Sequence, residues 1–230
     1  MTASLPSGPQ TDAELASIIA SGATSLGVDL DGERIANLVA YLRLIERWNA
    51  TYNLTAVRSV RAMATQHVVD SLSAIASVRA HLPLDNRRIL DVGSGAGLPG
   101  VVIAIVDNDM LVTCVDSVGK KAAFVRHAAM TLGLDNLSAV HGRVEAMSAP
   151  PAFGLIVSRA FSSLSNFASS TQHLIGPGGW WMVMKGKVPL EEISDAAVSG
   201  FVFDLERISV PGLEAERCLL LARAISDSER

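Results

Sequence analysis

A glycine-rich stretch in the middle of the chain limits the possible folds more than any other feature. Arg88-Ile89-Leu90-Asp91-Val92 is a short apolar run, and Gly93-Ser94-Gly95-Ala96-Gly97-Leu98-Pro99-Gly100 follows it at once. An apolar run of this length ending in glycines reads as a buried strand of a parallel sheet. Helical signals resume at Pro99 and continue to Val106. A strand, a glycine loop and a helix in that order predict a doubly wound α/β fold. Ligands of such folds bind beyond the carboxyl ends of the strands, near the point where strand order reverses. Glycines at that point permit positive φ and let the backbone approach a ligand closely.

The flanking sequence fits this frame. Apolar runs predict further strands over 110–116, 137–141, 153–158, 179–185, 201–210 and 217–224, and helical periodicity predicts helices over 119–132, 164–175 and 190–197. Alternating strands and helices imply a mostly parallel, seven-stranded sheet covered on both faces. The last two strands have the spacing of an antiparallel hairpin. Before the glycine loop the pattern is helical. Ile35, Leu38, Val39, Leu42, Ile45 and Trp48 make one apolar stripe. The turn formers from Asn49 to Asn53 predict a break, and a second helix is expected over 60–81. Pro83, Asp85 and Asn86 mark a boundary. The chain therefore divides into a flexible tail (1–10), an N-terminal helical cap (11–85) and an α/β core (86–230).

Composition narrows the class. Hydrophobic residues make up 49% of the chain and charged residues 18%, which excludes wholesale disorder. The net charge of -4 argues against an indiscriminate nucleic-acid binder. That total hides an uneven distribution: residues 58–187 carry 12 basic and 8 acidic side chains, and the acidic surplus lies at the two ends. Cys114 and Cys218 sit in apolar runs and read as buried thiols. No CxxC or Cys/His cluster is present, so no metal site is expected. The first residues lack the basic start and apolar stretch of a signal peptide, and no apolar run has the length of a membrane span. A cytoplasmic protein with no membrane partner is expected.

The loop accommodates two cofactors. Gly95 to Gly100 matches GxGxxG, a dinucleotide pattern. S-adenosylmethionine fits as well, and three details favour it. Asp91 ends the strand two residues before Gly93, where a carboxylate can meet the ammonium of a methionine moiety. Pro99 removes an N–H donor from the helix start, where a pyrophosphate needs several. No separate domain for hydride transfer follows. Asp116 ends the next strand and is placed to accept from ribose hydroxyls. Among methyl acceptors, an exocyclic amino group calls for a polar-Pro-Pro-aromatic signature, and Ser158-Arg159-Ala160-Phe161 stands in its place. Pyrimidine carbon calls for a cysteine nucleophile, whereas both cysteines read as core. An atom that is already nucleophilic remains, such as guanine N7. Small-molecule and protein substrates stay open at this point, as does a nucleotide-binding module without catalysis.

Taken together, certain pieces of the chain resemble the glucose-inhibited division protein B family, the bacterial small-subunit ribosomal RNA methyltransferase G. They are Trp48-Asn49, Asn53-Leu54-Thr55, His67 with Asp70-Ser71-Leu72, Asp91 through Gly100, Asp116-Ser117 with Lys120-Lys121, Glu145, Ser158-Arg159-Ala160 and Lys185-Gly186. The likeness runs from about Tyr41 to Gly186. It implies a Rossmann-like, S-adenosylmethionine-dependent methyltransferase that makes N7-methylguanosine at one guanine of 16S rRNA, in the decoding-region loop of the small ribosomal subunit. It implies cofactor contacts at Gly93, Leu98, Val144, Glu145 and Arg159, joined by Asp91 and Asp116 from the reading above. The chain departs from the family pattern in three places. Leu98 stands where an aromatic is frequent, Gly154 where Asp is frequent, and Val144 where a small residue is frequent.

Several polar residues carry both a structural and a functional reading. Asn53-Leu54-Thr55, with Arg58 and Arg61 just after, is either a helix cap or an RNA contact. His67 and Asp70 lie three apart on one helix face, which suits a local hydrogen bond or substrate positioning. Lys120-Lys121 is a solvated face or a phosphate contact. Lys185 and Lys187 flank a glycine at the pocket end of their strand and are substrate candidates, with Asn53 and Arg58. Trp180 and Trp181 begin that strand at the opposite end and read as core or far rim. A monomer is expected.

Overall fold

The computed structural model describes residues 11–148, 152–160, 163–188 and 201–224. The expected tail (1–10) and short helix (190–197) lie outside them.

Helix α1 (Asp12–Ser25) opens with a capping box: Thr11 Oγ1 accepts from the Glu14 N–H, and the Glu14 carboxylate accepts from the Thr11 N–H. Helix α2 (Gly32–Tyr52) starts at Asp31, whose carboxylate accepts from the Arg34 N–H at 2.7 Å. The break expected at Asn49 comes later. The helix continues to Tyr52 and stops at Asn53, which takes the left-handed conformation with φ 49°. Asn tolerates that conformation better than most residues, so turn-forming composition marked the stop a few residues early. The apolar stripe is buried as expected at Leu38, Val39, Leu42 and Ile45.

The expected helix over 60–81 exists in pieces: α3 (Val60–Met63), a π-helical stretch (Ala64–Val69), α4 (Asp70–Leu72) and α5 (Ile75–His81). Two serine hydroxyls bond backbone carbonyls beside the interruption. Ser71 Oγ donates to the His67 carbonyl and Ser73 Oγ to the Asp70 carbonyl, each at 2.6 Å. These hydroxyls compete with the backbone ladder.

Strands β1 (Arg88–Val92), β2 (Leu111–Asp116), β3 (Leu137–His141), β4 (Phe153–Ser158), β5 (Ile175–Lys185), β6 (Phe201–Ile208) and β7 (Arg217–Ala224) form one sheet in the order β3-β2-β1-β4-β5-β7-β6. Pairing is parallel from β3 to β5, and β7 runs antiparallel to both β5 and β6. Strand order reverses between β1 and β4, which fixes the switch point at the end of β1. Helices α6 (Gly100–Val106), α7 (Gly119–Leu132) and α8 (Leu164–Thr171) link the parallel strands. Helix α8 is shorter than expected. It stops at Thr171, and β5 begins at Ile175, because Gly176, Pro177, Gly178 and Gly179 suit an irregular strand start and not a helix. A register shift between β4 and β5 falls at this segment. At Gly154 a Cβ would lie 2.1 Å from the Asn86 carbonyl oxygen, so glycine there matches a close chain crossing that the common aspartate would not fit unchanged.

The core is continuous from the cap into the sheet. Trp48 packs against Phe124 and His127 of α7 with ring centroids 5.4 Å apart in both pairs. The Cys114 and Cys218 thiols are both buried and free. Trp181 is buried with its Nε1 donating to Thr171 Oγ1 at 2.8 Å, and Trp180 meets His81 and Arg223 at the far end of β5.

Candidate functional site

Gly93, Gly95 and Gly97 have φ of +68°, +61° and +88°, a run of left-handed backbone that brings the chain sharply round from β1 into α6. The turn is held by backbone: the Gly93 and Ser94 N–H groups both donate to the Val115 carbonyl at the end of β2. It is braced by two carboxylates. Asp116 Oδ2 accepts from the Gly95 N–H at 2.9 Å and Oδ1 from the Val118 N–H at 2.8 Å. Asp91 Oδ2 accepts from the Gly100 N–H at 2.8 Å, while Oδ1 is buried with no hydrogen-bond partner among the described residues. Burial raises the Asp91 carboxyl to a pKa of about 7, against the opposing pull of the Gly100 N–H and of Arg159. The cap reaches the loop too: Tyr41 Oη donates to the Ala96 carbonyl at 2.5 Å. Tyr41 lies off the stripe that defined α2, and no sequence signal distinguished it as a support of the loop.

Beside the loop lies a cavity of about 190 Å³ over the carboxyl ends of β1, β2 and β3. Val92, Gly93, Asp116, Arg143, Val144 and Glu145 are among its lining residues. The structure thus brings together four of the sequence candidates: Gly93, Asp116, Val144 and Glu145. Val144 is buried in a 3₁₀ turn (Val144–Ala146), and Glu145 is exposed at the rim. A Cβ on Gly93 would lie 3.0 Å from Ala160 Cβ, so this wall has no room for a side chain. Leu98 does not line the cavity; it is buried in the core shared by cap and sheet. Asp91 lies wholly buried beneath the loop.

Arg159 turns toward the cap. Its guanidinium lies 3.0 Å from Asp70 and donates to the Gln66 carbonyl at 3.3 Å and to Ser71 Oγ at 3.5 Å. Asp70, almost fully buried, also binds Arg217 Nε of β7 at 2.8 Å. A second cavity of about 200 Å³ is lined by Asp70, Arg159, Met184, Lys185, Gly186 and Arg217. Three cationic side chains face it against one carboxylate. Ala160, the residue after Arg159, stands close to Gly93 of the glycine loop. The anticipated His67–Asp70 pairing is replaced by two separate contacts. His67 Nε2 meets Thr55 Oγ1 at 2.8 Å, while Asp70 binds the two arginines. Burial lowers the His67 pKa, so the neutral imidazole suits this contact. Arg217 escaped sequence reasoning because its strand read only as a closing hairpin.

Of the remaining candidates, Asn53 Oδ1 accepts from Arg58 at 3.1 Å on the exposed surface, away from both cavities. Asn53 ends α2 in the left-handed conformation, a C-terminal stop and not the N–H-satisfying cap expected of it. Lys187 is exposed just past β5, and Lys121 lies 3.8 Å from Asp116. A larger cavity, about 720 Å³, lies at the amino end of β2 by Leu111, Asp31 and Asp135. It is at the opposite end of the strands from the glycine loop.

A parallel sheet with a glycine loop at its switch point and a cavity over the next two strand ends is the fold of S-adenosylmethionine-dependent methyltransferases. The chain superposes on the glycopeptide N-methyltransferase MtfA complexed with S-adenosyl-L-methionine at a TM-score of 0.53, with 14% identity, over 66% of this chain and 87% of that one. It superposes on the ribosomal protein L11 methylase of Lactobacillus delbrueckii subsp. bulgaricus at 0.54, with 18% identity, over 70% and 79%. Sequence places it more narrowly. The family profile described as rRNA small subunit methyltransferase G, GidB, matches residues 34–221, and the chain belongs to that family. The ribosomal RNA small subunit methyltransferase G of Acidovorax sp. (strain JS42) is 45% identical over 213 residues, covering 89% of this chain and 93% of the relative. That of Methylibium petroleiphilum is 46% identical over 206 residues, covering 90% and 93%.

Proposed function

We propose that this chain transfers a methyl group from S-adenosylmethionine to N7 of one guanine in 16S rRNA, in the decoding-region loop of the small ribosomal subunit. The observation that carries this reading is identity of about 45% along nearly the whole of both chains to ribosomal RNA small subunit methyltransferases G. The basic cavity lined by Arg159, Lys185 and Arg217 supports it. S-adenosylmethionine supplies an electrophilic methyl group. Gly93 and Val144 hold the cofactor through backbone, Glu145 reads its adenosine end from the rim, and Leu98 supports the loop from the core side. Both Asp116 oxygens already accept one hydrogen bond each, and each keeps a lone pair for a ribose hydroxyl. Asp91, wholly buried beneath the loop, acts through it by accepting from the Gly100 N–H.

Guanine N7 carries its lone pair in the base plane and has no proton to lose. The transfer therefore needs neither a general base nor a metal, and catalysis is positioning and electrostatics. Arg159, Lys185 and Arg217 supply positive charge for RNA phosphate beside the cofactor, with Lys187 and Arg58 further out. The helical segment 11–85 works as a cap on the 86–230 core, and the enzyme acts as a monomer in the cytoplasm. No helix among the described residues is long and apolar enough to cross a membrane.

The deciding experiment incubates the protein with labelled S-adenosylmethionine and undermethylated small subunits, then locates the product by chain cleavage at N7-methylguanosine. Label at a single guanine of 16S rRNA is expected. No label in 16S rRNA would remove this function.

A further inference from the structure

Away from the glycine loop, the fold unites three side chains that no sequence spacing connects. His81 ends α5, and Asp204 and Glu206 stand two residues apart on β6, which directs both carboxylates to one face of the strand. One ligand atom from each of the three residues lies within 4.8 Å of the others. The imidazole is oriented by a carbonyl. His81 Nδ1 lies 2.9 Å from the Ser77 backbone oxygen, which can only accept, so Nδ1 carries the proton. In the neutral ring Nε2 then presents a lone pair, and it faces Asp204 Oδ2 at 3.9 Å. Two acceptors aimed at each other are satisfied by a positive charge between them, a proton on Nε2 or a metal ion. The hydroxyl of the same Ser77 donates to Glu206 Oε2. One buried serine therefore orients the histidine through its carbonyl and the glutamate through its hydroxyl. Metal ligands are held in this way by their outer neighbours.

We propose that His81, Asp204 and Glu206 bind a divalent transition cation, zinc first, which ties α5 to the edge strand β6. One imidazole and two carboxylates, completed by water, make a tetrahedral zinc donor set. Zinc bonds of about 2.0–2.2 Å draw the ligand atoms together by about an ångström. Asp204, whose side chain is about half exposed, has the freedom to make that move. Among the described strands β6 pairs with β7 alone, so the cation reinforces the Ser77–Glu206 tie between this edge and α5. Its role is structural and separate from methyl transfer.

The test uses the full-length protein, stripped with a chelator and titrated with zinc sulfate by calorimetry. One equivalent is expected to bind, with a rise in melting temperature. Cobalt(II) should quench tryptophan fluorescence, since the Trp180 ring lies 4.7 Å from that of His81. His81→Ala and Glu206→Gln should each weaken zinc binding by about tenfold or more, and Ser77→Ala should weaken it less. Asp204→Asn changes an exposed side chain and keeps the test decisive if another variant fails to fold. Absence of saturable binding near one equivalent overturns the proposal. So does undiminished affinity in His81→Ala and Asp204→Asn.

Discussion

The glycine-loop cavity and the basic cavity are assembled from different materials. The first is walled by the residues at and just past the ends of β1, β2 and β3, and the glycine loop beside it is backbone braced by Asp116 and by Tyr41 from the cap. Its function depends on atoms that are absent. The second is made of side chains from four distant places, Asp70, Arg159, Lys185 and Arg217. Its integrity depends on charge balance around one buried carboxylate. Two opposite kinds of fragility follow: added volume should damage the loop, and removed charge should damage the basic cavity.

Gly97→Ala tests the first kind and has the largest expected effect. Gly97 has φ +88°, and a new Cβ would lie 2.4 Å from Val101 Cγ2. Backbone strain and overpacking together should cost about 3 kcal/mol, read as a lower urea midpoint. A midpoint near wild type would mean that the loop tolerates volume and that the contrast is wrong. Asp70→Ala tests the second kind. Removing the partner of a buried charge is strongly destabilising. Here the two guanidiniums are each about a quarter exposed, so water takes back part of the loss. About 2 kcal/mol is expected from the same measurement, discounted for that screening. Asp70→Ala as stable as wild type would show that the arginines need no counter-charge.

A third test sharpens the comparison by pH. The Asp91 carboxyl is raised from 3.8 to about 7 in the folded chain. Between about pH 4 and 7 the folded state therefore holds a proton that the unfolded state has released. This group's contribution is full below about pH 4 and is lost as pH rises through 7. Asp91→Asn keeps an acceptor for the Gly100 N–H and removes the titration. Wild-type stability minus that of Asp91→Asn should fall as pH rises across this window, measured by chemical denaturation at a series of pH values. A flat difference would mean that Asp91 is ionised in the folded protein.

The same contrast decides what could be read in advance. Strands β1, β3, β4 and β7 and helix α7 fall at their expected residues because their signals are local: apolar runs bounded by glycine or polar residues. Gly93, Asp116, Val144 and Glu145 converge because each follows a strand end and the sheet order does the rest. Errors arose where a side chain overrode a local pattern. The helix that periodicity made continuous is interrupted where the Ser71 and Ser73 hydroxyls bond backbone carbonyls, and α2 stops at Asn53, the last residue of the expected break. Leu98 faces the core because the loop turns it inward, a direction that spacing does not encode. The link from Asp70 to Arg159 and Arg217 spans most of the chain, and only the closed sheet reveals it.

Strand β7 is the last described strand in sequence, yet it lies inside the sheet between β5 and β6. While the chain emerges from the ribosome, β1 to β5 can pair as each appears, but β6 has no neighbour to join until β7 arrives. Arg217 is the first residue of that strand. A partly synthesised copy therefore lacks both the sheet edge and one wall of its basic cavity until β7 is added.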